Sequence, residues 1–180
     1  EIAKSAFGND KTIWQLYLQA LAQTRSIGDP FAMAKASEAY NLFPENKDIF
    51  TLYRWLTYGQ DRVNRAAQAS AKANELYNNG NYQEASLQFA EAMDLDPLES
   101  GYGLNAGLSH FQAKDYKTAI KYFNIVIPSK NKENSLRAMR FKALSLYSLN
   151  QKVEACKVFD ELRLKGKKRM YQQEFTKFCK

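Results

Sequence analysis

Few side chains in this sequence are suited to catalysis or to metal binding. The chain of 180 residues has one histidine, His110, and two cysteines, Cys156 and Cys179. If His110 acted as a general base, a nucleophile or carboxylate should stand at a recognisable spacing from it, and none does. A zinc site needs three or four nitrogen or sulfur ligands, and no glycine-rich phosphate-binding or dinucleotide-binding motif occurs. The sequence therefore predicts a protein that is not an enzyme, with no catalytic residue, no metal site and no cofactor.

The cysteines and the chain start bear on the compartment. Two cysteines are too few for a disulfide framework, so we expect a buried thiol at Cys156 and an exposed one at Cys179, beside the chain end. The chain begins at Glu1 without an initiator methionine or a signal peptide, which indicates a processed product or an excised piece. No run of about 18 apolar residues predicts a membrane span. A soluble protein is expected, either cytoplasmic or, after removal of a signal peptide, periplasmic or exported.

A repeated pattern of small and aromatic residues organises the second half of the chain. After a Gly-Asn turn, Ala85, Phe89 and Ala92 recur at helical spacing, and Pro97 ends the helix. A single amphipathic helix would give the 3.6-residue period but no recurrence over longer distances. The same pattern does return, first after 34 residues and then after a further 36, at Ala119, Phe123, Val126 and at Ala155, Phe159, Leu162. Small residues on the preceding segments keep the same rhythm at Ala73, Gly107 and Ala143.

These residues resemble the tetratricopeptide repeat (TPR) family, whose second helix carries a small-aromatic-small-proline pattern. The resemblance implies an all-α fold, a right-handed superhelical solenoid of antiparallel helix pairs. It also implies a non-catalytic scaffold or adaptor for protein–protein interaction. Three repeats are predicted within 66–164, over 66–99, 100–134 and 136–164.

The N-terminal part, 1–65, follows this rhythm less closely. Placing Pro44 on the family's closing proline makes 11–46 a degenerate repeat. Leu16 and Ala20 then fall on the packing positions of its first helix.

Residues 47–65 are predicted to form an irregular helix. A single long helix over 47–79, bent near Gly59, is the alternative to two separate helices.

The C-terminal part, 165–180, is predicted to contain a basic turn and a last helix. A solenoid needs a terminal helix to cover its last apolar face, which favours a cap. An exposed aromatic stripe that docks a partner is the alternative.

In TPR proteins the first helices of successive repeats line a concave surface that receives a peptide or a partner's helix. The corresponding positions here mix amide, aromatic and guanidinium groups, which suit backbone amides and carboxylates. His110 is expected to pack or to line this groove. The predicted groove residues are Asn74, Tyr77, Asn105, His110, Arg137 and Arg140, with Leu104, Ser109 and Ser145 at further groove positions.

One subclass of the family clamps the C-terminal carboxylate of acidic peptides with lysine, asparagine and arginine. Asn74, Asn105 and Arg137 match that clamp in chemical type, whereas Ser70 and Phe141 replace two of its three cations. Each lost charge-assisted hydrogen bond costs about 1.5–3 kcal/mol. There are two alternatives to a carboxylate clamp. The groove could bind another peptide or protein ligand, or it could be covered by the chain's own N-terminal helices.

The net charge of +7 is unevenly distributed. Residues 1–128 carry 12 basic and 14 acidic side chains, and residues 129–180 carry 14 basic and 5 acidic ones. Such a positive field attracts anionic partners. The highest density of basic residues is in 163–169. This segment is either a solvated helix end, with Gly166 just beyond the helix, or a binding site for nucleic acid, anionic lipid or an acidic protein. Its cations are Arg163, Lys165, Lys167, Lys168 and Arg169.

A protein or peptide partner, possibly acidic, is therefore the main expectation, with nucleic-acid or anionic-membrane binding through 163–169 as the alternative. The sequence leaves the partner's identity and the oligomeric state open.

Overall fold

The computed structural model describes residues 8–180, and these residues form ten α-helices and no strand. The first seven residues of the predicted N-terminal part lie outside the described range. The chain divides into two units, Glu1–Ala67 (unit 1) and Gln68–Lys180 (unit 2). The helices are α1 (Lys11–Thr24), α2 (Pro30–Leu42), α3 (Lys47–Tyr58), α4 (Gln60–Asn78), α5 (Tyr82–Leu95), α6 (Ser100–Gln112), α7 (Tyr116–Val126), α8 (Lys132–Ser148), α9 (Lys152–Gly166) and α10 (Arg169–Cys179).

Unit 1 has its own apolar core, built from one face of each of its helices α1, α2 and α3. In α1 the core residues are Trp14, Leu18 and Leu21, spaced four and three residues apart. Leu16 and Ala20, which the sequence placed on this face, are exposed, so that placement was wrong.

The misplacement has a simple cause in the length of the turn after α1. In the later pairs the small residue of the first helix precedes that of the second by 12 positions, as from Gly107 to Ala119. In unit 1 the equivalent interval, from Leu18 to Ala32, is 14 positions. The turn after α1, 25–29, is two residues longer than the turns within the later pairs. The buried residues of α1 therefore lie two positions earlier in the sequence than the family's repeat predicts.

Gly59 separates α3 from α4 and decides between the two alternatives for residues 47–79. Its φ of 86° lies in the left-handed region that favours glycine. A Cβ at this position would also lie 2.8 Å from Cδ1 of Ile27. The chain therefore turns here, and two helices form instead of one bent helix.

Unit 2 contains the predicted helix pairs α4–α5, α6–α7 and α8–α9, followed by α10, except that the first part of α4, 60–67, belongs to unit 1. The small and aromatic residues of the repeat occupy equivalent, fully buried places on the second helix of each pair. This confirms the prediction of an all-α helical-repeat solenoid, while the predicted domain limits stay a proposal. These residues are Ala85, Ala119 and Ala155, each 0% exposed, and Phe89, Phe123 and Phe159, each at most 1% exposed.

The contact between Gly107 and Phe123 explains why the first helix needs a small residue. A Cβ on Gly107 would lie 2.6 Å from Cε1 of the Phe123 ring, closer than van der Waals contact permits. The absence of a side chain therefore lets α6 and α7 pack with the ring between them.

The turn within each pair of unit 2 holds one residue in the left-handed conformation. Gly80, Lys114 and Asn150 occupy this place, with φ of 81°, 61° and 61°. Glycine adopts it freely and asparagine tolerates it, but a lysine there is strained.

The two cysteines form a disulfide bond, which corrects the prediction of two free thiols. Cys156 lies in the first turns of α9 and Cys179 ends α10, with their Cα atoms 5.5 Å apart. The bond forms because α10 folds back along α9, a tertiary contact that spacing alone does not reveal. Closing a loop with a sequence separation of 23 residues stabilises the folded chain by about 3 kcal/mol.

Replacing Lys114 with glycine should stabilise unit 2 by about 0.5–1 kcal/mol, because glycine removes the strain of a left-handed lysine. The free energy of unfolding from urea titration measures the change. Lys121→Gly, at an exposed position in the middle of α7, is the matched control and should destabilise by about 1 kcal/mol. A loss of stability in Lys114→Gly would contradict the assigned turn geometry.

Candidate functional site

The six predicted groove residues all lie on the first helices of the pairs. Asn74 and Tyr77 are on α4, and Asn105 and His110 are on α6. Arg137 and Arg140 are on α8, which packs directly against α6. The structure leaves some of these side chains open to a ligand and engages the others in internal contacts.

Three of the six side chains remain accessible to a ligand: Asn74, Asn105 and Arg137. Asn74 and Arg137 are exposed and Asn105 is half-buried. Arg137 makes no ion pair with any residue between 8 and 180. An amide on each of two first helices and a guanidinium on the third can thus offer donors to a carboxylate or a peptide backbone.

Tyr77 contributes mainly to packing. Its half-buried ring stands edge-on to Tyr82, with the centroids 5.1 Å apart, and it borders the core cluster that contains Phe89. Tyr77 therefore supports the turn between α4 and α5.

His110 is held within the second pair. Its Nδ1 lies 3.2 Å from a carboxylate oxygen of Asp115, and its ring stacks on Tyr122 with the centroids 5.5 Å apart. Burial, followed by the charge of Asp94, raises the pKa of the Tyr122 hydroxyl. These contacts give His110 a structural role between α6 and α7.

Asp115 caps α7 through a hydrogen bond from the backbone N–H of Thr118, with an N–O distance of 3.2 Å. Hydrogen bonding with Thr118, followed by the interaction with His110, holds the pKa of the Asp115 carboxyl below its usual value of 3.8. The negative charge also lies at the favourable end of the helix dipole.

Arg140 is engaged by the last helix. Its Nε and Nη2 both donate to Oε1 of Glu174 on α10, at 2.7 and 2.6 Å, and its guanidinium lies over the ring of Phe141. Glu174 was not predicted from the sequence as the partner of Arg140. The available signal was the spacing, because Glu174 follows Arg140 by 34 residues, as Asn134 follows its partner Ser100.

Three further groove predictions were wrong. Leu104, Ser109 and Ser145 are at most 1% exposed and lie in the interior. Leu104 packs in the core cluster of Phe123. The two serine hydroxyls donate to backbone carbonyls four residues earlier on their own helices.

Phe141, which replaces one of the cations of the family's carboxylate clamp, belongs to an aromatic cluster. Its ring meets Phe111 edge-on at 5.2 Å and lies 6.2 Å from Phe123. This apolar surrounding does not favour a carboxylate.

The basic run divides into two parts. Arg163 pairs with Asp160 and lies over the Phe175 ring, and Lys165 pairs with Glu161. The remaining three cations are exposed where α9 gives way to α10, and within the described residues they form no ion pair. They are Lys167, Lys168 and Arg169.

Gly166 does not lie just beyond α9, as the sequence predicted. It is the last residue of α9, and Lys167 takes the left-handed position after it, with φ of 52°. Glycine is needed at 166 because a Cβ there would overlap the ring of Tyr171. That ring is 4% exposed.

Unit 1 contains a cleft of about 390 Å³ between α1 and α3. Sequence reasoning missed it, because Leu16 was placed on the packing face whereas its side chain lines the cleft. At one edge the amide of Gln15 donates to Asp48, with an N–O distance of 2.9 Å. The lining residues are Thr12, Gln15, Leu16, Gln19, Asp48, Thr51, Leu52 and Trp55.

Two other features, a metal-binding cluster and a membrane-spanning helix, are absent from the part of the chain that the structure describes. Among residues 8–180, no cluster of three or more histidine, cysteine or acidic side chains could hold a metal ion. In the same range, no helix has the length and apolar character needed to span a membrane.

The fold and the open polar positions on α4, α6 and α8 define a helical-repeat protein of the kind that presents a binding surface. Residues 70–134 match the family model described as tetratricopeptide repeat, so this part of the chain carries repeats of that family. Repeats of this family generally mediate protein–protein interactions and typically act as non-catalytic scaffolds. A comparison with curated proteins found no match.

The interactions of Asp115 predict a pH-dependent contribution to stability. Because the folded-state pKa is lowered, the contribution is full above the ordinary value of 3.8 and is lost as the pH falls through the folded-state pKa. Asp115→Asn should cost about 0.3–1 kcal/mol at neutral pH. The difference from the native chain should vanish in acid. Urea unfolding across this pH range measures it, with Glu91→Gln on α5 as the control. A deficit that persists in acid would contradict the charge argument.

Proposed function

We propose that unit 2 binds an acidic peptide or protein segment along α4, α6 and α8, through Asn74, Asn105 and Arg137. The main support is the exposed guanidinium of Arg137, which no acidic side chain of residues 8–180 neutralises. On α4 and α6, Asn74 and Asn105 offer both amide donors and carbonyl acceptors to an extended backbone.

The charge of the chain supports an acidic partner. The excess of basic residues falls in 129–180, which includes α8. A positive field on one end of unit 2 would speed the encounter with an anionic segment and orient it. Arg140 and His110 are left out of the proposed contact set, because Glu174 and Asp115 engage them.

Affinity purification with the native chain, followed by mass spectrometry and calorimetry with the recovered partner, tests this proposal. The triple variant Asn74→Ala/Asn105→Ala/Arg137→Ala should weaken binding by about 10-fold or more, since one charge-assisted hydrogen bond contributes about 1.5–3 kcal/mol. Added salt should weaken the native interaction as well.

The matched control carries the same number of substitutions on the exposed faces of the second helices. Gln83→Ala/Asn124→Ala/Lys157→Ala should bind the partner like the native chain. If the control loses the partner while the groove variant retains it, the binding surface is on the other face of the repeats.

Binding to nucleic acid or an anionic membrane through 163–169 is the second candidate. The exposed, adjacent cations Lys167, Lys168 and Arg169 favour it. Base stacking does not, because the neighbouring Tyr171 is buried and Arg163 lies over the Phe175 ring.

Neutralising these three cations to alanine separates the two candidates. If they contact phosphates, the variant should lower the dependence of log affinity on log salt for single-stranded nucleic acid by about 0.7 per contact. Fluorescence anisotropy measures this, and vesicle sedimentation tests an anionic membrane. A variant that keeps its protein partner and shows unchanged weak binding in both assays would exclude the basic segment as a functional site.

A further inference from the structure

The last helix, α10, lies where the first helix of another pair would pack. Phe178 stacks on Phe159 of α9 at 5.3 Å and meets Tyr147 of α8 edge-on at 4.9 Å. Glu174 binds Arg140 at the 34-residue interval that also separates Ser100 from Asn134. Through these contacts α10 covers two aromatic rings and one cationic group of the last pair.

The beginning of α10 is poorly stabilised. Its N-cap residue, Lys168, makes no side-chain hydrogen bond to the first turn. Lys167, Lys168 and Arg169 also place three exposed positive charges at the positive end of the helix dipole, where cations are unfavourable. An acidic or hydroxyl cap, as Asp115 provides for α7, is missing here.

The middle of α10 carries a second unfavourable feature. Both hydrogen bonds from Arg140 go to Oε1 of Glu174, while Oε2 is buried and receives no hydrogen bond from the described residues. A buried carboxylate oxygen without a donor has lost its hydration and gained no replacement. Undocking α10 would return this oxygen to water.

The end of α10 is fixed covalently. Cys179 is the last helical residue, and its bond to Cys156 fastens the helix end to the first turns of α9. The helix is thus weakly capped at its start, incompletely satisfied in its middle and covalently held at its end.

We propose that the Cys156–Cys179 disulfide is a redox latch that keeps α10 docked on α8 and α9. A dithiol opens the latch: one of its thiolates attacks a sulfur of the bond, and its second thiol resolves the mixed disulfide. The two cysteines gain two electrons and two protons, and the dithiol is oxidised to a disulfide. Release of α10 then uncovers Arg140 and Tyr147 on α8 and Phe159 on α9.

Hydrogen exchange of the oxidised and dithiol-reduced chain, read by mass spectrometry, tests the latch without any ligand. Reduction should speed exchange in α10 by about 10-fold or more, because the loop constraint is lost. Exchange in α6 and α7 should stay close to that of the oxidised chain. Cys156→Ser/Cys179→Ser should exchange like the reduced chain and should not respond to the dithiol.

A charge variant tests whether the missing N-cap and the cations at the start of α10 weaken this helix. In the reduced chain, Lys168→Asp supplies an N-cap and removes a cation, so it should slow exchange in α10 several-fold. Lys121→Asp, an exposed lysine of α7, is the control and should leave α10 unchanged.

Two results would overturn the proposal. Equal protection of α10 in the oxidised and reduced chains would show that its packing alone keeps it docked. Equal acceleration in α6, α7 and α10 would show that the disulfide supports unit 2 as a whole. Neither result depends on the peptide-binding proposal, so the two can fail separately.

Discussion

The contact between one aromatic ring and one small residue determines the architecture of unit 2. Phe89, Phe123 and Phe159 are almost fully buried on the second helices, while Ala73, Gly107 and Ala143 are buried on the first. The Gly107–Phe123 contact is close enough to leave no space for a methyl group. Because the same contact recurs in each pair, successive helices are held at similar distances, and the chain extends by adding pairs instead of enlarging one core.

This packing also decides which positions remain available to a partner. A first helix turns its small residue towards its own second helix, so Asn74, Asn105 and Arg137 lie off that contact. The same rule does not hold for every predicted groove position, because Leu104 is drawn into the core beside Phe123. His110 is likewise turned towards Asp115 and Tyr122. The available surface is therefore narrower and more polar than the spacing alone predicted.

The sequence allowed the repeat to be predicted because its signal is local and periodic. It did not allow prediction of contacts that depend on how helices fold back, such as the Cys156–Cys179 bond or the Arg140–Glu174 pair. The alignment of 11–46 to the family's repeat misplaced Leu16 and Ala20 for a related reason, because a turn two residues longer moves a buried face without changing its composition. Spacing therefore predicted the helices well, whereas the partners of individual side chains required the folded chain.

The ion pairs in the structure separate the basic residues of 129–180 that have acidic partners from those that remain exposed. Acidic side chains on α9 and α10 pair with Arg140, Arg163 and Lys165, so the positive excess in 129–180 is carried by the other basic residues of this segment. The cations left exposed in the basic run stand at the start of α10, where they favour the end of α9 but oppose the helix that follows. The segment 167–169 thus stabilises α9 and destabilises α10. The disulfide bond at Cys179 lies at the opposite end of α10.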